Sequence, residues 1–143
     1  MLSPIQTKKH WILSLQFEPS EEASGNENCQ LGITLHSRKC EDHWHVRIDV
    51  VFGAKQGTQA NYMGRVKFEG IFEVHPDFPA EKTESMVCMN GGAILYGAVR
   101  ELILTLSSRS KHGPFEMPTI DARMFVSKTP DLEKPKRQPK PKK

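Results

Sequence analysis

The stretch HWHVRIDVVF, residues 43–52, decides the fold more than any other part of the chain. Its even positions from Trp44 to Phe52 are apolar, and its odd positions from His43 to Asp49 are polar. An alternation with a period of two is typical of a strand with one buried face and one face in water. This stretch therefore predicts a half-buried strand in an antiparallel sheet.

Three other segments alternate in the same way. On the amino-terminal side, residues 31–36 alternate, and the odd positions of residues 11–17 are all apolar. On the carboxyl-terminal side, the alternation runs through residues 62–74. Four such segments separated by loops predict a four-stranded antiparallel sheet with one wet face.

The sequence after the fourth strand changes to a helical period. Residues 80–89 suit a short helix, which Asn90-Gly91-Gly92 would end or kink. Residues 93–109 form a stronger helical pattern, whose apolar stripe consists of Leu95, Val99, Leu102 and Leu106. We therefore expect an α+β fold in which a long helix covers the sheet.

This long helix carries more apolar residues than one buried side needs. Tyr96, Ala98 and Ile103 lie off the main stripe. A helix that is apolar most of the way round needs a second partner besides the sheet. We therefore expect a homo-oligomer, with Tyr96 and Ile103 near a subunit interface.

Charge divides the chain into two parts. The whole sequence has a formal charge of +3, but residues 127–143 contain seven Lys or Arg and only two Asp or Glu. That segment therefore carries +5, and residues 1–126 carry −2. The segment also holds four prolines and one large apolar residue, which predicts a disordered tail after a single domain at residues 1–126.

The basic tail offers an alternative function of another class. Clustered Lys and Arg bind nucleic acid or acidic proteins by releasing counterions. The tail contains no aromatic residue that could stack on bases. Nucleic-acid association through the tail is therefore the less favoured interpretation.

Catalytic and cofactor motifs are missing from the sequence. Gly91-Gly92 lacks the spacing of a phosphate loop or a dinucleotide-binding turn. The one spacing that resembles a metal site is formed by Cys40, His43 and His45, and no second cluster completes it. We expect these side chains to lie on the wet face, and we expect no enzyme activity, cofactor or metal.

The cysteines and the lengths of the apolar stretches predict the cellular compartment of the protein. Three cysteines without a C-x-x-C pair favour a reducing compartment. Met1 to Lys9 has no apolar stretch of signal-peptide length, and no run approaches the roughly 20 residues of a membrane span. These features predict a cytoplasmic protein.

Three blocks of sequence resemble the bacterial export chaperone family SecB. They are GIFEV at residues 70–74, AILYGAVRELI at residues 93–103 and LSSR at residues 106–109, followed by the Pro-containing loop GPFEMPTIDA at residues 113–122. The resemblance covers about residues 10–126. It implies a cytoplasmic homotetramer, built as a dimer of dimers, that holds unfolded or precursor proteins in apolar grooves without ATP.

The resemblance also implies partners and roles for particular residues. SecB chaperones deliver precursors to the translocase motor SecA, and related proteins protect the antitoxin of a toxin–antitoxin pair. The positions that match the family's client groove are Leu31, Ile33, Leu35, Tyr62, Met63, Leu95 and Ala98. Those that match positions near subunit interfaces are Gly64, Val66 and Phe68, and Glu18 matches one acidic SecA-contact position.

Several features add to or depart from the family pattern. Met124 and Phe125 suit the same kind of adaptable apolar surface, because Met is flexible and polarizable. Gly97-Ala98 replaces a Pro-Tyr pair of the family, and the chain ends in a basic tail instead of an acidic one. These departures affect SecA delivery more than they affect the holding of clients.

Overall fold

The computed structural model describes residues 1–126, which form one sheet and one long helix. The elements in chain order are β1 (Ile5–Pro19), β2 (Cys29–Lys39), β3 (Trp44–Ala54), β4 (Tyr62–Val74), α1 (Ala80–Met86), a π turn (Val87–Gly91), α2 (Gly92–Ser108) and a 3₁₀ turn (Ala122–Phe125). The predicted α+β class and four antiparallel strands are confirmed. The predicted tail at residues 127–143 lies outside the described residues.

The sheet has the strand order β1-β4-β3-β2, so β3 and β4 are central and β2 is an edge strand. In one row of the register, Ile33 pairs with Val50, Val50 with Val66, and Val66 with Leu15. Val50 and Val66 are fully buried, because α2 packs on this side of the sheet. We call this side the helix face and the opposite side the outer face.

The core lies between the helix face and α2. Leu95, Val99 and Ile103 of α2 are fully buried, as are Val46 and Ile48 of β3. Side chains on one face recur every two residues in a strand and every 3.6 residues in a helix. The buried residues of β3 and of α2 therefore form two apolar stripes, which pack against each other. The hydrophobic pattern of β3 was therefore a sound guide to the core.

The side of the sheet predicted for Trp11 in β1 is wrong. Trp11 pairs with Glu69, whereas Leu15 pairs with Val66, and the register shifts between Ile12 and Ser14. The extra residue there is Leu13, and such a bulge reverses the faces on which the following side chains lie. Trp11 therefore lies on the outer face, while Leu15 lies on the helix face.

Of the two outcomes predicted at Asn90-Gly91-Gly92, an end or a kink of the helix, the end is wrong. α1, the π turn and α2 follow one another without interruption from Ala80 to Ser108. The Asn90 side-chain amide donates to the Met86 carbonyl at 3.2 Å inside the π turn. A π turn absorbs one extra residue within a helix, so the helix continues where the sequence suggested an end.

The second partner of α2 is the protein's own chain. Tyr96 donates its hydroxyl to the Pro118 carbonyl at 2.6 Å, and Arg100 donates to the Met117 carbonyl at 3.0 Å. Phe115 and Met117 are 5% and 1% exposed in the same core. The apolar helix therefore does not by itself require another subunit, contrary to the argument from its sequence.

The continuous helix is longer and more apolar than the sequence pattern indicated. Within Ala80–Ser108, a window of 18 residues reaches a mean hydropathy of 1.3, which by length and composition is enough to cross a membrane. Its Leu95, Val99 and Ile103 side chains are buried against the sheet. These contacts are those of a core helix.

Candidate functional site

An apolar groove of about 360 Å³ lies beside the edge strand β2. Residues of β2 form one wall, α1 and the π turn form the second, and the 3₁₀ turn forms the third. The lining residues are Ile33, Thr34, Leu35, Ser37, Glu84, Ser85, Cys88, Met124, Phe125 and Val126. The groove thus combines aliphatic, aromatic, thioether and thiol side chains with three hydroxyl groups and one carboxylate.

The wall formed by β2 follows directly from its alternation. Leu31, Ile33 and Leu35 are half-buried and lie on the helix face, opposite Phe52, Val50 and Ile48 in that order. β2 pairs with β3 on one side only, so its other edge presents unpaired backbone groups among the described residues. Such an edge is able to accept an added strand.

The wall formed by the π turn carries a cysteine. Cys88 donates its thiol to the Ser37 hydroxyl at 3.4 Å, which ties the π turn to β2. Burial raises the pKa of Cys88, and the nearby Glu84 carboxylate raises that pKa further. The thiol is therefore protonated near neutral pH, and it acts as part of an apolar wall instead of as a nucleophile.

The 3₁₀ turn, which forms the third wall, is capped by Asp121. Asp121 accepts a hydrogen bond from the Arg123 backbone N–H at 3.0 Å and binds the Arg123 guanidinium at 2.9 Å. These contacts lower the pKa of Asp121 to about 2. They fix the 3₁₀ turn at its first residue, and this places Met124 and Phe125 over the groove.

A second hollow, of about 520 Å³, continues the groove around the edge of β2. It shares Ile33, Thr34 and Met124 with the first groove. It also reaches Leu31 and Ile120 and, on the outer face, Asp49, Val51 and Arg65. Together the two hollows form one path along β2 and around its edge.

The predicted groove residues fall into two groups in the structure. Leu31, Ile33 and Leu35 line the path along β2. Tyr62 and Leu95 lie in the core, where they are 1% and 0% exposed. The Tyr62 hydroxyl donates to the Gly113 carbonyl at 2.6 Å and accepts from the His112 N–H at 3.1 Å, so it supports the domain from within.

The other two predicted groove residues also lie away from β2. Met63 is 57% exposed on the outer face, opposite Glu18 of β1. Ala98 is half-buried on α2 and packs against the core. A role in client binding for Tyr62, Met63, Leu95 and Ala98 stays a prediction from the family resemblance.

The residues predicted for subunit interfaces lie largely inside the protomer. Val66 and Ile103 are fully buried, and Phe68 and Tyr96 are 6% and 3% exposed. Gly64 contacts β1 so closely that an added Cβ would collide with the Gln16 carbonyl oxygen. Their part in assembly stays a prediction, as does the part of the exposed Glu18 in SecA contact.

Six residues that line the groove were missed by the sequence analysis: Thr34, Ser37, Glu84, Ser85, Cys88 and Val126. Glu84 and Ser85 lie on α1 and Cys88 lies on the π turn, on the side next to β2. Cys88 is one of four consecutive apolar residues, 86–89, and the sequence does not mark it as the one that lines the groove. By contrast, Met124 and Phe125 lie where the sequence indicated an adaptable apolar surface.

The contacts of His43 and His45 bear on the metal-like spacing of Cys40, His43 and His45. His43 contacts the Asp42 carboxylate at 2.7 Å, and His45 contacts the Glu69 carboxylate at 2.5 Å. Within residues 1–126, no three His, Cys, Asp or Glu side chains lie close enough together to hold a metal ion. The two imidazoles are thus engaged with carboxylates at separate places.

Comparison with known families decides the relationship. A family model described as "Preprotein translocase subunit SecB" matches residues 8–129. The chain belongs to the SecB family. The SecB family is a family of chaperones.

Solved structures agree with this assignment at the level of the fold. The Mycobacterium tuberculosis Rv1957 SecB-like chaperone, in complex with a ChAD peptide from the Rv1956 HigA1 antitoxin, is 16% identical with a TM-score of 0.59. The alignment covers 82% of this chain and 91% of that one. A Streptococcus agalactiae protein of unknown function aligns over 80% of this chain and 97% of its own, with 9% identity and a TM-score of 0.48. Comparison with curated proteins gave no match.

Proposed function

We propose that this SecB-family protein is a cytoplasmic, ATP-independent holdase that binds extended apolar segments of unfolded or precursor proteins along β2. The observation that carries the proposal is an apolar groove of about 360 Å³ next to an unpaired strand edge. An unfolded chain exposes both apolar side chains and free backbone groups. A folded protein hides both and is therefore not a client.

The two features of the site supply two kinds of binding energy. Each square ångström of apolar surface removed from water contributes roughly 25 cal/mol. Backbone pairing with the edge of β2 adds hydrogen bonds that do not depend on the client's sequence. Met124 at the lip of the groove adapts to different side chains because its thioether chain is flexible.

A client of a more restricted kind is the second candidate. The Mycobacterium tuberculosis relative is a SecB-like chaperone bound to an antitoxin peptide, and it has the same fold. The groove here is small, so one short segment fills it. A chaperone dedicated to a single antitoxin therefore stands beside a general export chaperone that delivers to SecA.

We also propose that the protein acts as a homo-oligomer, with a tetramer as the family resemblance implies. The support is on β1, the other edge strand, where Ile12, Leu13 and Leu15 are 45%, 44% and 39% exposed. Apolar side chains along an unpaired edge are costly in water. A second copy that pairs through β1 would cover them.

Light scattering of the full chain tests the proposed function. The probe is reduced, carboxamidomethylated lysozyme, which stays unfolded and is positively charged, so the basic tail repels it. We expect a soluble complex with this probe and none with native lysozyme. Absence of a complex with the unfolded probe would overturn the proposal.

A matched pair of variants locates the binding site. Ile33→Asp places a charge in the groove and should weaken capture about tenfold or more, because burying an unpaired carboxylate is costly. Gln30→Asp introduces the same charge on the exposed side of the same strand and should leave capture unchanged. Both variants must keep the circular dichroism spectrum of the unaltered chain. An equal loss of client capture in both variants would contradict a binding site at Ile33.

A further inference from the structure

The outer face of the sheet carries a band of positive charge. Five Lys or Arg side chains lie within four neighbouring rows of the strand register: Lys9, Arg38, Arg47, Arg65 and Lys67. The same rows hold two carboxylates, Asp49 and Glu69. The band therefore carries +3 with its histidines neutral, whereas residues 1–126 as a whole carry −2.

Both carboxylates in the band are already engaged. The Glu69 side chain, 9% exposed, contacts His45 at 2.5 Å and Arg47 at 3.3 Å. Asp49 holds the Arg65 guanidinium through two contacts of 2.9 and 2.5 Å. The face therefore has no free acidic group within these rows to offer to a basic partner.

Three cations of the band remain without a carboxylate partner among residues 1–126, and one of them, Lys9, lies over the Trp11 ring. Among residues 1–126, no carboxylate lies within 4.0 Å of the charged groups of Lys67 and Arg38. Arg38 is exposed and Lys67 is half-buried. Charges of one sign on a flat surface attract a partner of the opposite sign.

An exposed apolar side chain lies on the same face as these cations. Val51 is 46% exposed and lies in the same row as Arg65. Its other neighbour in the row is Gly32, which has no side chain, so a hollow opens over the strand at that point. A partner that places a carboxylate on the cations can place an apolar side chain against Val51.

We propose that the outer face is a second docking surface, for an acidic segment of a partner polypeptide that also carries apolar residues. The aromatic residue of the band favours a polypeptide over nucleic acid. Trp11 lies between the His45 ring, 6.1 Å away, and the Lys9 ammonium group, 5.7 Å away. Its ring is therefore not free to stack on a base.

The two surfaces meet at the second hollow, where Ile33 lies on the helix face and Val51 on the outer face. The test therefore uses Lys67 and Arg38, which line neither hollow. The probe is a synthetic peptide of alternating Glu and Leu, and fluorescence anisotropy measures its Kd for the full chain. We expect Lys67→Gln with Arg38→Gln to weaken binding about tenfold. The matched control, Lys55→Gln with Lys82→Gln, removes the same charge elsewhere and should change the Kd by less than about twofold.

Two further arms distinguish the possible outcomes. Val51→Ser should weaken binding of the peptide severalfold and leave the affinity for a single-stranded oligonucleotide of equal charge unchanged. Leu35→Asp, which places a charge in the first groove only, should weaken client capture and leave peptide binding intact. Equal losses in the face and control variants, or an oligonucleotide that binds as tightly and responds to the same substitutions, would overturn the proposal.

Discussion

The ring of Phe125 lies directly against Gly92, the first residue of α2. A Cβ atom built on Gly92 would be 2.5 Å from Cδ2 of Phe125. The missing side chain is therefore what allows the 3₁₀ turn to close the groove over the start of the helix. Sequence position 92 and the groove wall at position 125 are coupled through this contact.

Gly92→Ala should displace Phe125 and change the affinity for unfolded client at least severalfold. The added methyl group cannot fit unless the ring moves, because a phenyl ring has no flexible end that could yield. The control is Gly97→Ala, whose added Cβ has no heavy atom within 4 Å. That control should raise the free energy of unfolding by about 0.5–1 kcal/mol, since Gly is a poor helix former. Equal client affinities in the two variants would contradict the coupling.

Gly64→Ala should destabilise the domain by about 1–3 kcal/mol or more, because the site has no room for a methyl group. The new Cβ would collide with the Gln16 carbonyl oxygen of β1 and lie 2.7 Å from the Phe52 ring. Gly32→Ala is the matched control on β2, where the nearest atom is 4.0 Å away. Urea unfolding measures both variants, and an unchanged midpoint for Gly64→Ala would show that β1 does not pack so closely.

Cys88 should react with iodoacetamide more slowly than a free thiol does at pH 7.4. Burial raises its pKa, so the reactive thiolate is scarce at that pH. Bound client should slow the reaction further, because Cys88 lines the groove. Cys29 is the internal control, since burial raises its pKa too and it lies outside both hollows. Mass spectrometry measures the modification of both cysteines. If bound client protected Cys29 and not Cys88, the assignment of Cys88 to the client groove would be contradicted.

The cap of the 3₁₀ turn should weaken only in strong acid. The pKa of Asp121 is lowered to about 2 from the usual 3.8, chiefly by its hydrogen bond with Arg123. A carboxylate with a lowered folded pKa contributes stability above its unfolded pKa and loses it as the pH falls through the folded value. The stability difference between the native chain and Asp121→Asn should therefore shrink between about pH 4 and pH 2. A constant difference across that range would show that the cap contributes nothing.

The sheet was predictable because its alternation is regular. The period of two in residues 43–52 and 62–74 placed β3 and β4 and most of the core. The face of Trp11 could not be predicted, since one extra residue at Leu13 reverses the faces and leaves no mark in the hydrophobic pattern. A bulge is set by packing against β4, which only the folded structure provides.

The groove was predictable in part for a similar reason. Ile33 and Leu35 follow from the alternation of β2, whereas the π turn that carries Cys88 and runs on through Asn90 and Gly91 could not be predicted. Glycines normally indicate the end of a helix, and local propensity cannot show that tertiary packing overrides them. The apolar excess of α2 was correctly recognised, but its partner proved to be the chain's own residues 114–121.

The central claim is that unfolded client lies along β2, and methyl NMR of isotope-labelled isoleucine side chains tests it most directly. The described chain has isoleucines on each surface: Ile33 and Ile120 line the path along β2, Ile71 lies on the outer face, and Ile12 and Ile94 are exposed elsewhere. On addition of the unfolded lysozyme probe, we expect the methyl signals of Ile33 and Ile120 to shift or broaden and those of the other three to stay. Unmoved signals of Ile33 and Ile120, with shifts at Ile12 or Ile94, would contradict the account.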